Sequence, residues 1–387
     1  MRILSMAWTI YDSRLPVFAQ NYTGGGLMIK NICEYIGRIH ESYLFIGRFK
    51  IPEMDLGNIH IVGTDIYPDV NDNNCNGNDK HLKTMTEAFA AVVEKLKPDI
   101  VNFHGIGVLM QNCIKICINK NIPYVYTDHL FIGSGSDING YDNNVKWEKE
   151  VYSIPGIKII AVSTGMKKKI QKNFPNILVE NIAVIRNGTD FTAKWIQSNL
   201  QKMYCLDGKK VLLCVGSINY RKNQCQIVRA FQLLPFCIQD KIKVIFCGKD
   251  GMNGELQECI ANAGLQNQLI YVGTVCSEEM KKYYSIADGL IMPSYAEGLS
   301  IAALEAVAYG LPIIMFADSE CAEDLNDERI VCYAIDRSDA CLAGAMKSWY
   351  EKVWDREYII GYSKFFTMER VADEYIDYYK KQLELIE

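Results

Sequence analysis

Along this chain, short apolar or β-branched runs alternate with longer stretches whose apolar positions recur every three or four residues. That rhythm predicts βαβ units around a parallel sheet. In the first half, residues 1–7, 100–103, 124–127 and 157–163 read as strands. Helical patterns fill 81–97, stopped by Pro98, and 106–120, stopped near Pro123. The second half repeats the rhythm more cleanly, with strands at 211–215, 242–247, 269–272, 290–292 and 313–316. Helices are predicted over 222–234, 254–263, 278–287 and 301–308.

A chain of 387 residues is too long for one ordinary core, and no short repeat is visible, so the alternation predicts an α/β protein of two Rossmann-like domains. The polar stretch around 190–210 is the expected junction, giving domains at 1–189 and 190–366. Open parallel sheets bind at the carboxyl ends of their strands, so the loops there are expected to face a central cleft and to carry the chemistry.

Composition narrows the classes. With 49% apolar and 22% charged residues the chain is globular, and 41 basic against 46 acidic side chains give a net charge of −5. No dedicated nucleic-acid binder is expected from that balance, so any anionic ligand must be met by local groups. Fourteen cysteines occur without a single C-x-x-C, which argues against zinc or redox chemistry and for a reducing, cytoplasmic compartment. Cys113 and Cys117, four apart on an apolar helical stretch, are read as core packing. The most apolar long stretch, 298–317, is interrupted by Glu305 and by Gly310-Leu311-Pro312, so no membrane span is expected, and the opening residues are too weakly patterned for a signal peptide.

Two constellations stand where a strand runs into a helix. The first is Pro293-Ser294-Tyr295-Ala296-Glu297-Gly298-Leu299-Ser300-Ile301, with Ser300 placed as N-cap, so that free amides at the helix start form an anion site. Glu297 precedes this helix. Glu305 lies inside it, where an exposed glutamate and one aimed at ribose hydroxyls are both open readings. The second constellation, Gly216-Ser217-Ile218-Asn219-Tyr220-Arg221-Lys222, brings two cations to a helix start, where the dipole disfavours them and a ligand role becomes the better explanation. Among the five histidines, only His104 and His129 close predicted parallel strands.

Together these residues resemble family-four retaining glycosyltransferases of the GT-B fold, also called glycosyl transferases group 1. The resemblance is carried by Gly216 with Lys222, by Glu297 and Glu305 eight apart in a Glu-Gly context followed by Leu-Glu-Ala, and by Val184-Ile185-Arg186-Asn187-Gly188-Thr189-Asp190. It extends to Gly25-Gly26, expected before the first helix, to the Asn-Phe-His104 and Thr-Asp-His129 strand ends, and to Ala287-Asp288, covering nearly the whole chain.

The resemblance implies a nucleoside-diphosphate sugar as donor, held mainly by the C-terminal domain, a glycan or lipid-linked acceptor, and a C-terminal helix at 367–387 returning to the N-terminal domain. It gives Glu305 to the ribose, Lys222 to the diphosphate, and Glu297 with the amides of Gly298, Leu299, Ser300 and Ile301 to the transferred sugar. Glu297, His104 and Lys222 would carry catalysis, with His129 supporting the acceptor side. Gly273, Thr274 and Val275 would seat the base, and Gly25 and Gly26 would let the N-terminal loop close on the phosphates. No bound metal or other cofactor is implied. In keeping with that, the chain contains no Asp-x-Asp clamp.

Two positions depart from the family pattern. Ser217 stands where arginine is usual, and Ser300 where glycine is frequent. A lost charge-assisted hydrogen bond is worth roughly 1.5 to 3 kcal/mol, so the first departure weakens diphosphate binding unless Arg221 substitutes. It also motivates a competing reading as a catalytically silent nucleotide-sugar-binding partner subunit, and a nucleotide-sugar epimerase of the same fold is a further alternative. An oxidoreductase is disfavoured because no G-x-G-x-x-G follows a predicted strand. Finally, Lys167, Lys168, Lys169 and Lys172 beside Phe174 allow peripheral contact with an anionic membrane, against the simpler reading of a solvated helix face.

Overall fold

The computed structural model describes the chain except for residues 16–23, 49–50, 63–78, 134–141, 193–194 and 386–387. The chain divides into two compact units, one running to Gly188 and resumed from Met368, the other spanning Thr189–Thr367.

The first unit is built on an eight-stranded sheet. Its strands are β1 (Arg2–Ala7), β2 (Glu41–Ile46), β3 (Met54–Leu56), β4 (Ile59–Ile61), β5 (Ile100–His104), β6 (Tyr124–Asp128), β7 (Ile159–Ala161) and β8 (Ile182–Val184). Their order is β3-β4-β2-β1-β5-β6-β7-β8, parallel throughout except for the β3–β4 hairpin. Burial on both faces explains why β1 and β5 read as continuous runs, since helices cover each side of a parallel sheet. The exception inside β5 is Asn102, whose amide donates to the Tyr379 hydroxyl at 2.6 Å and accepts from Thr127 at 2.8 Å. Tyr379 lies on the C-terminal helix Met368–Glu384, which packs on the helix Gly24–Ile36. A buried amide without those partners would cost about 1–3 kcal/mol, so this network fixes where the C-terminal helix docks.

The second unit carries a six-stranded, wholly parallel sheet of β9 (Lys210–Val215), β10 (Ile242–Cys247), β11 (Leu269–Gly273), β12 (Gly289–Met292), β13 (Ile313–Phe316) and β14 (Val331–Ala334). The order β11-β10-β9-β12-β13-β14 reverses direction between β9 and β12, the switch point at which open α/β sheets place their ligands. Apolar residues of Gln224–Gln232 and Asp339–Glu351 cover one face, with Trp349 fully buried among them.

Several boundaries differ from those read in the sequence. Gly25 and Gly26 do not precede the first helix; they form its first turn. The helix expected from residue 222 begins at Gln224 because Asn223 is left-handed, at φ 54°, which leaves Arg221 and Lys222 in the loop. Strand 157–163 shortens to β7 because Ser163 instead caps the next helix, accepting from the Met166 amide at 3.1 Å. No helix among the described residues is long and apolar enough to cross a membrane.

Candidate functional site

In the second unit, the loops after β9, β11 and β12 all leave the carboxyl edge of one sheet. The loop after β9 turns at Gly216, whose φ of +137° excludes most side chains and whose missing Cβ leaves room for the Lys222 stem at 3.3 Å. Gly248, after β10, is needed for closeness of another kind, since a Cβ there would stand 2.0 Å from the Gly216 carbonyl.

Lys222 reaches across the switch point. Its Nζ lies 2.5 Å from Glu297 Oε1, and Arg221 Nη1 lies 3.4 Å from the same oxygen and 2.6 Å from the Ala296 carbonyl. Glu297 is 6% exposed. Burial alone would raise its pKa, but Lys222 and then Arg221 outweigh it and hold the carboxyl at about 2. Three of the expected site residues are thus one ion-paired cluster, built from two loops.

After Glu297 the chain turns into the helix Ile301–Ala308. Ser300 occupies the N-cap position but makes no side-chain cap bond; its amide instead donates to Cys321 Sγ at 3.4 Å. Gly298, Leu299 and Ser300 are buried and Ile301 is half-buried. Glu305, one and a half turns on, is not the exposed helix glutamate: it is 8% exposed. The Tyr284 hydroxyl donates to its Oε2 at 2.7 Å, and Tyr284 stacks on Tyr309. Burial drives Glu305 up to about 7, with the Tyr284 bond pulling the other way. It therefore stands at the edge of ionisation at neutral pH.

The remaining donor-side positions lie along the same edge. Ser217 is half-buried, and its carbonyl accepts from the Gln224 side chain at 3.0 Å. Gly273 ends β11 at φ 79°, followed by exposed Thr274 and half-buried Val275. Asp288 ties the sheet together instead of facing the loops, accepting from the Val211 amide at 2.9 Å and from Arg356 at 2.8 Å.

In the first unit, His104 at the end of β5 and His129 just after β6 meet directly. His104 Nδ1 and His129 Nε2 are 3.0 Å apart and the rings stack at 5.3 Å. One nitrogen must donate and the other accept, so the two tautomers are coupled. Burial pushes His104 well below its ordinary value, with His129 adding to the effect, and lowers His129 to about 4, so the pair is neutral at physiological pH. The outer nitrogens, His104 Nε2 and His129 Nδ1, are buried without a protein partner. Gly25 stands in the first turn of its helix, where a Cβ would meet open space, and the Gly26 carbonyl accepts from the Tyr11 amide at 3.3 Å; the loop just before them lies outside the described residues.

Cys113 and Cys117 are fully buried packing residues, and burial raises both thiols, Cys117 to about 12, leaving poor metal ligands. No group of three or more His, Cys, Asp or Glu among the described residues could hold a metal ion. On the helix Thr164–Asn173, Lys167 donates to the Ile182 carbonyl at 2.6 Å, and the ring of Phe174, just after it, packs tilted against Tyr152 at 4.9 Å. The face left outward carries Lys168 and Lys172, and Leu178 and Val179 farther along the chain are each 59% exposed.

Sequence reasoning missed three residues of the second unit. Tyr284 carries no sequence signal, because a tyrosine on an amphipathic helix reads as core. Glu320, whose Oε2 accepts from the Glu297 amide at 3.0 Å, follows β13 and could have been found as a carboxylate at a strand end. Arg337, which grips the Ser294 carbonyl at 2.9 Å, follows a strand that the periodicity did not reveal.

Comparison with known proteins bears on the fold and the family. The family described as Glycosyltransferase Family 4 matches residues 23–193, and Glycosyl transferases group 1 matches residues 199–364. An uncharacterised glycosyltransferase of Methanocaldococcus jannaschii is 24% identical over 73% of this chain and 74% of its own length. O-antigen chain mannosyltransferase B of Escherichia coli is 28% identical over 47% of this chain and 48% of its own. Among solved structures, sucrose-phosphate synthase of Thermosynechococcus elongatus superposes with a TM-score of 0.78 at 14% identity, each chain covered fully. Anabaena HepE in complex with UDP and glucose gives 0.71 at 14% identity, covering 98% of this chain and 100% of its own. With both halves matched in order and two parallel-sheet units in place, this chain belongs to the group 1 glycosyltransferases of the GT-B fold.

Proposed function

We propose that this glycosyltransferase moves a sugar from a nucleoside diphosphate to a glycan or lipid-linked acceptor, with retention at the anomeric carbon and without a metal ion. The observation that carries the reading is the Lys222–Glu297–Arg221 cluster at the switch point of the second sheet, where two fixed cations stand beside the start of a helix. As the bond from the anomeric carbon to the diphosphate oxygen breaks, its electron pair passes to the diphosphate. The growing charge is met by Lys222, Arg221 and the positive end of the helix Ile301–Ala308. An ammonium has three donors, so Lys222 keeps Glu297 while bonding a phosphate oxygen.

In this reading Glu297 bonds the transferred sugar, Glu305 accepts the ribose hydroxyls, and Gly273, Thr274 and Val275 line the base. Ser217 and Ser300 present hydroxyls to the phosphates. Gly25 and Gly26 admit the diphosphate close to the backbone; at Gly25 the fold itself leaves space for a larger residue, so a ligand's approach is the better reason for glycine there. His104, with His129 behind it, offers an unpartnered ring nitrogen to the sugar. The relatives support the substrate class. They include proteins named as an alpha-monoglucosyldiacylglycerol synthase of Streptococcus pneumoniae and as an O-antigen chain mannosyltransferase, and HepE is solved with UDP. Surface polysaccharide or glycoconjugate synthesis at the inner face of the membrane fits that company, with Lys168, Lys172, Leu178 and Val179 as the contact.

A thermal-shift panel of UDP, GDP, UDP-glucose and GDP-mannose, followed by hydrolysis or transfer assays with and without EDTA, tests the reading. Stabilisation by a nucleotide sugar and turnover that survives the chelator are expected. Binding without any turnover would favour the silent-partner reading, and activity lost in EDTA and restored by manganese would overturn metal independence.

A further inference from the structure

We propose that Arg337 is a positioning residue for Glu297, bracing from behind the loop that carries it; the inference rests on the role given to Glu297 above. The loop between β12 and the helix Ile301–Ala308 has each carbonyl from Pro293 to Ala296 tied to a side chain. Pro293 O accepts from Asn223 at 3.4 Å and Ala296 O from Arg221 at 2.6 Å. The two between belong to Arg337, whose Nη1 donates to Ser294 O at 2.9 Å and Nη2 to Tyr295 O at 3.4 Å. Its Nε donates to Asp318 at 2.8 Å, and the guanidinium carbon lies 4.9 Å from the Phe316 ring centre. All three kinds of guanidinium nitrogen are therefore used.

The main chain of Arg337 adds a second route to the same loop. Its carbonyl accepts from Gln226 at 2.7 Å, and the Gln226 amide oxygen accepts in turn from Asn223, the residue that holds Pro293. Arg337 follows β14 at the sheet edge, so the loop is clamped from the side opposite Lys222. Arg337 thus holds the backbone two and three residues before Glu297, Glu320 holds the Glu297 amide, and Lys222 holds its carboxylate. A planar fork of five donors spans two successive carbonyls and a carboxylate at once, whereas a lysine ammonium, a single point charge, cannot keep all three in this geometry.

Displacing a reacting group by about 1 Å costs on the order of a hundredfold in rate, so partial release of the brace should be visible in turnover. The test compares Arg337→Lys and Arg337→Met with the unaltered protein, using whichever of UDP-glucose and GDP-mannose it hydrolyses faster. Expected are a fall in kcat of about tenfold for lysine and more for methionine, with donor KM within about twofold. Amides of residues 294–299 should exchange about tenfold faster while β9 and β12 keep their protection. Wild-type kcat in folded Arg337→Lys, unchanged loop exchange, or kcat and KM changing together would each overturn the proposal; should Arg337→Met not fold, the lysine variant decides alone. Glu297→Gln is measured alongside. Full turnover in Glu297→Gln removes the reading of Glu297 itself, whereas an impaired Glu297→Gln beside an unaffected Arg337→Lys removes only this inference.

Discussion

Lys222 and Glu297, 75 positions apart in the chain, meet at 2.5 Å because the strands that precede their loops, β9 and β12, lie side by side in the second sheet. Both side chains are largely buried, at 16% and 8% exposure, so each is the other's main compensation for lost water.

Lys222→Met should therefore destabilise the protein by about 1–3 kcal/mol, less than a fully orphaned buried charge because Arg221 remains 3.4 Å from the carboxylate. The sign with pH follows from the depressed Glu297 value. The pair's contribution is complete above the ordinary carboxyl range near 4.5 and is lost as pH falls through about 2. Urea titrations at pH 7 and pH 3 should show the wild-type advantage shrinking at the lower pH. An equal difference at both would contradict the ion pair's role.

Glu305 should behave in the opposite sense. Its folded value is raised from 4.5 to about 7, so ionisation of the buried carboxyl works against folding as pH climbs through that window, by roughly 3 kcal/mol at most. Glu305→Gln is expected to raise Tm at pH 8 with little change at pH 5, while weakening UDP or GDP binding. Tyr284→Phe removes the bond that favours the charged form and should shift the pH dependence of nucleotide affinity upward. Calorimetric Kd values from pH 5.5 to 8.5 check both.

The histidine pair allows inner and outer nitrogens to be separated. His104→Asn approximates the Nδ1 atom that meets His129 and discards the outer Nε2, whereas His104→Phe loses both. If the outer nitrogen serves the sugar, both variants lower kcat by about ten- to a hundredfold, and only the phenylalanine variant leaves His129 unpaired and lowers Tm. Normal turnover in a folded His104→Asn would remove His104 from the site.

Ser217 supplies a test by addition. Arg221→Ala should weaken nucleoside-diphosphate binding by roughly 1.5–3 kcal/mol, and Ser217→Arg placed in that background should recover much of it. If Ser217→Arg tightens binding equally with Arg221 present, Arg221 does not substitute for the absent arginine.

Much of the fold was legible because parallel strands buried on both faces leave uninterrupted apolar runs; β10, β13 and the helix Ile301–Ala308 coincide with their predicted bounds. The β3–β4 hairpin was missed although its turn, Gly57-Asn58, with Gly57 at φ 63°, is a recognisable hairpin signal; three-residue strands are too short for alternation to show. β14 was missed for a similar reason, its four residues including two that are only half-buried. Arg221 and Lys222 stood out in the sequence because cations at a predicted helix start conflict with the helix dipole, and Glu297 stood out by its spacing from Glu305; the structure brings the three together.

By itself the sequence determined the alternating architecture, the family, and the local signals at 216–222 and 297–305, because periodicity and spacing are properties of neighbouring residues. Only the tertiary structure decided which polar groups pair. Lys222 with Glu297, Tyr284 with Glu305, His104 with His129 and Asn102 with Tyr379 are all set by strand order and helix docking. The same contacts decided protonation, placing one glutamate at about 2 and the other at about 7, although both are buried and eight residues apart. The physical reason is that desolvation and Coulomb attraction act over a few ångströms in space, and distance along the chain does not measure that separation.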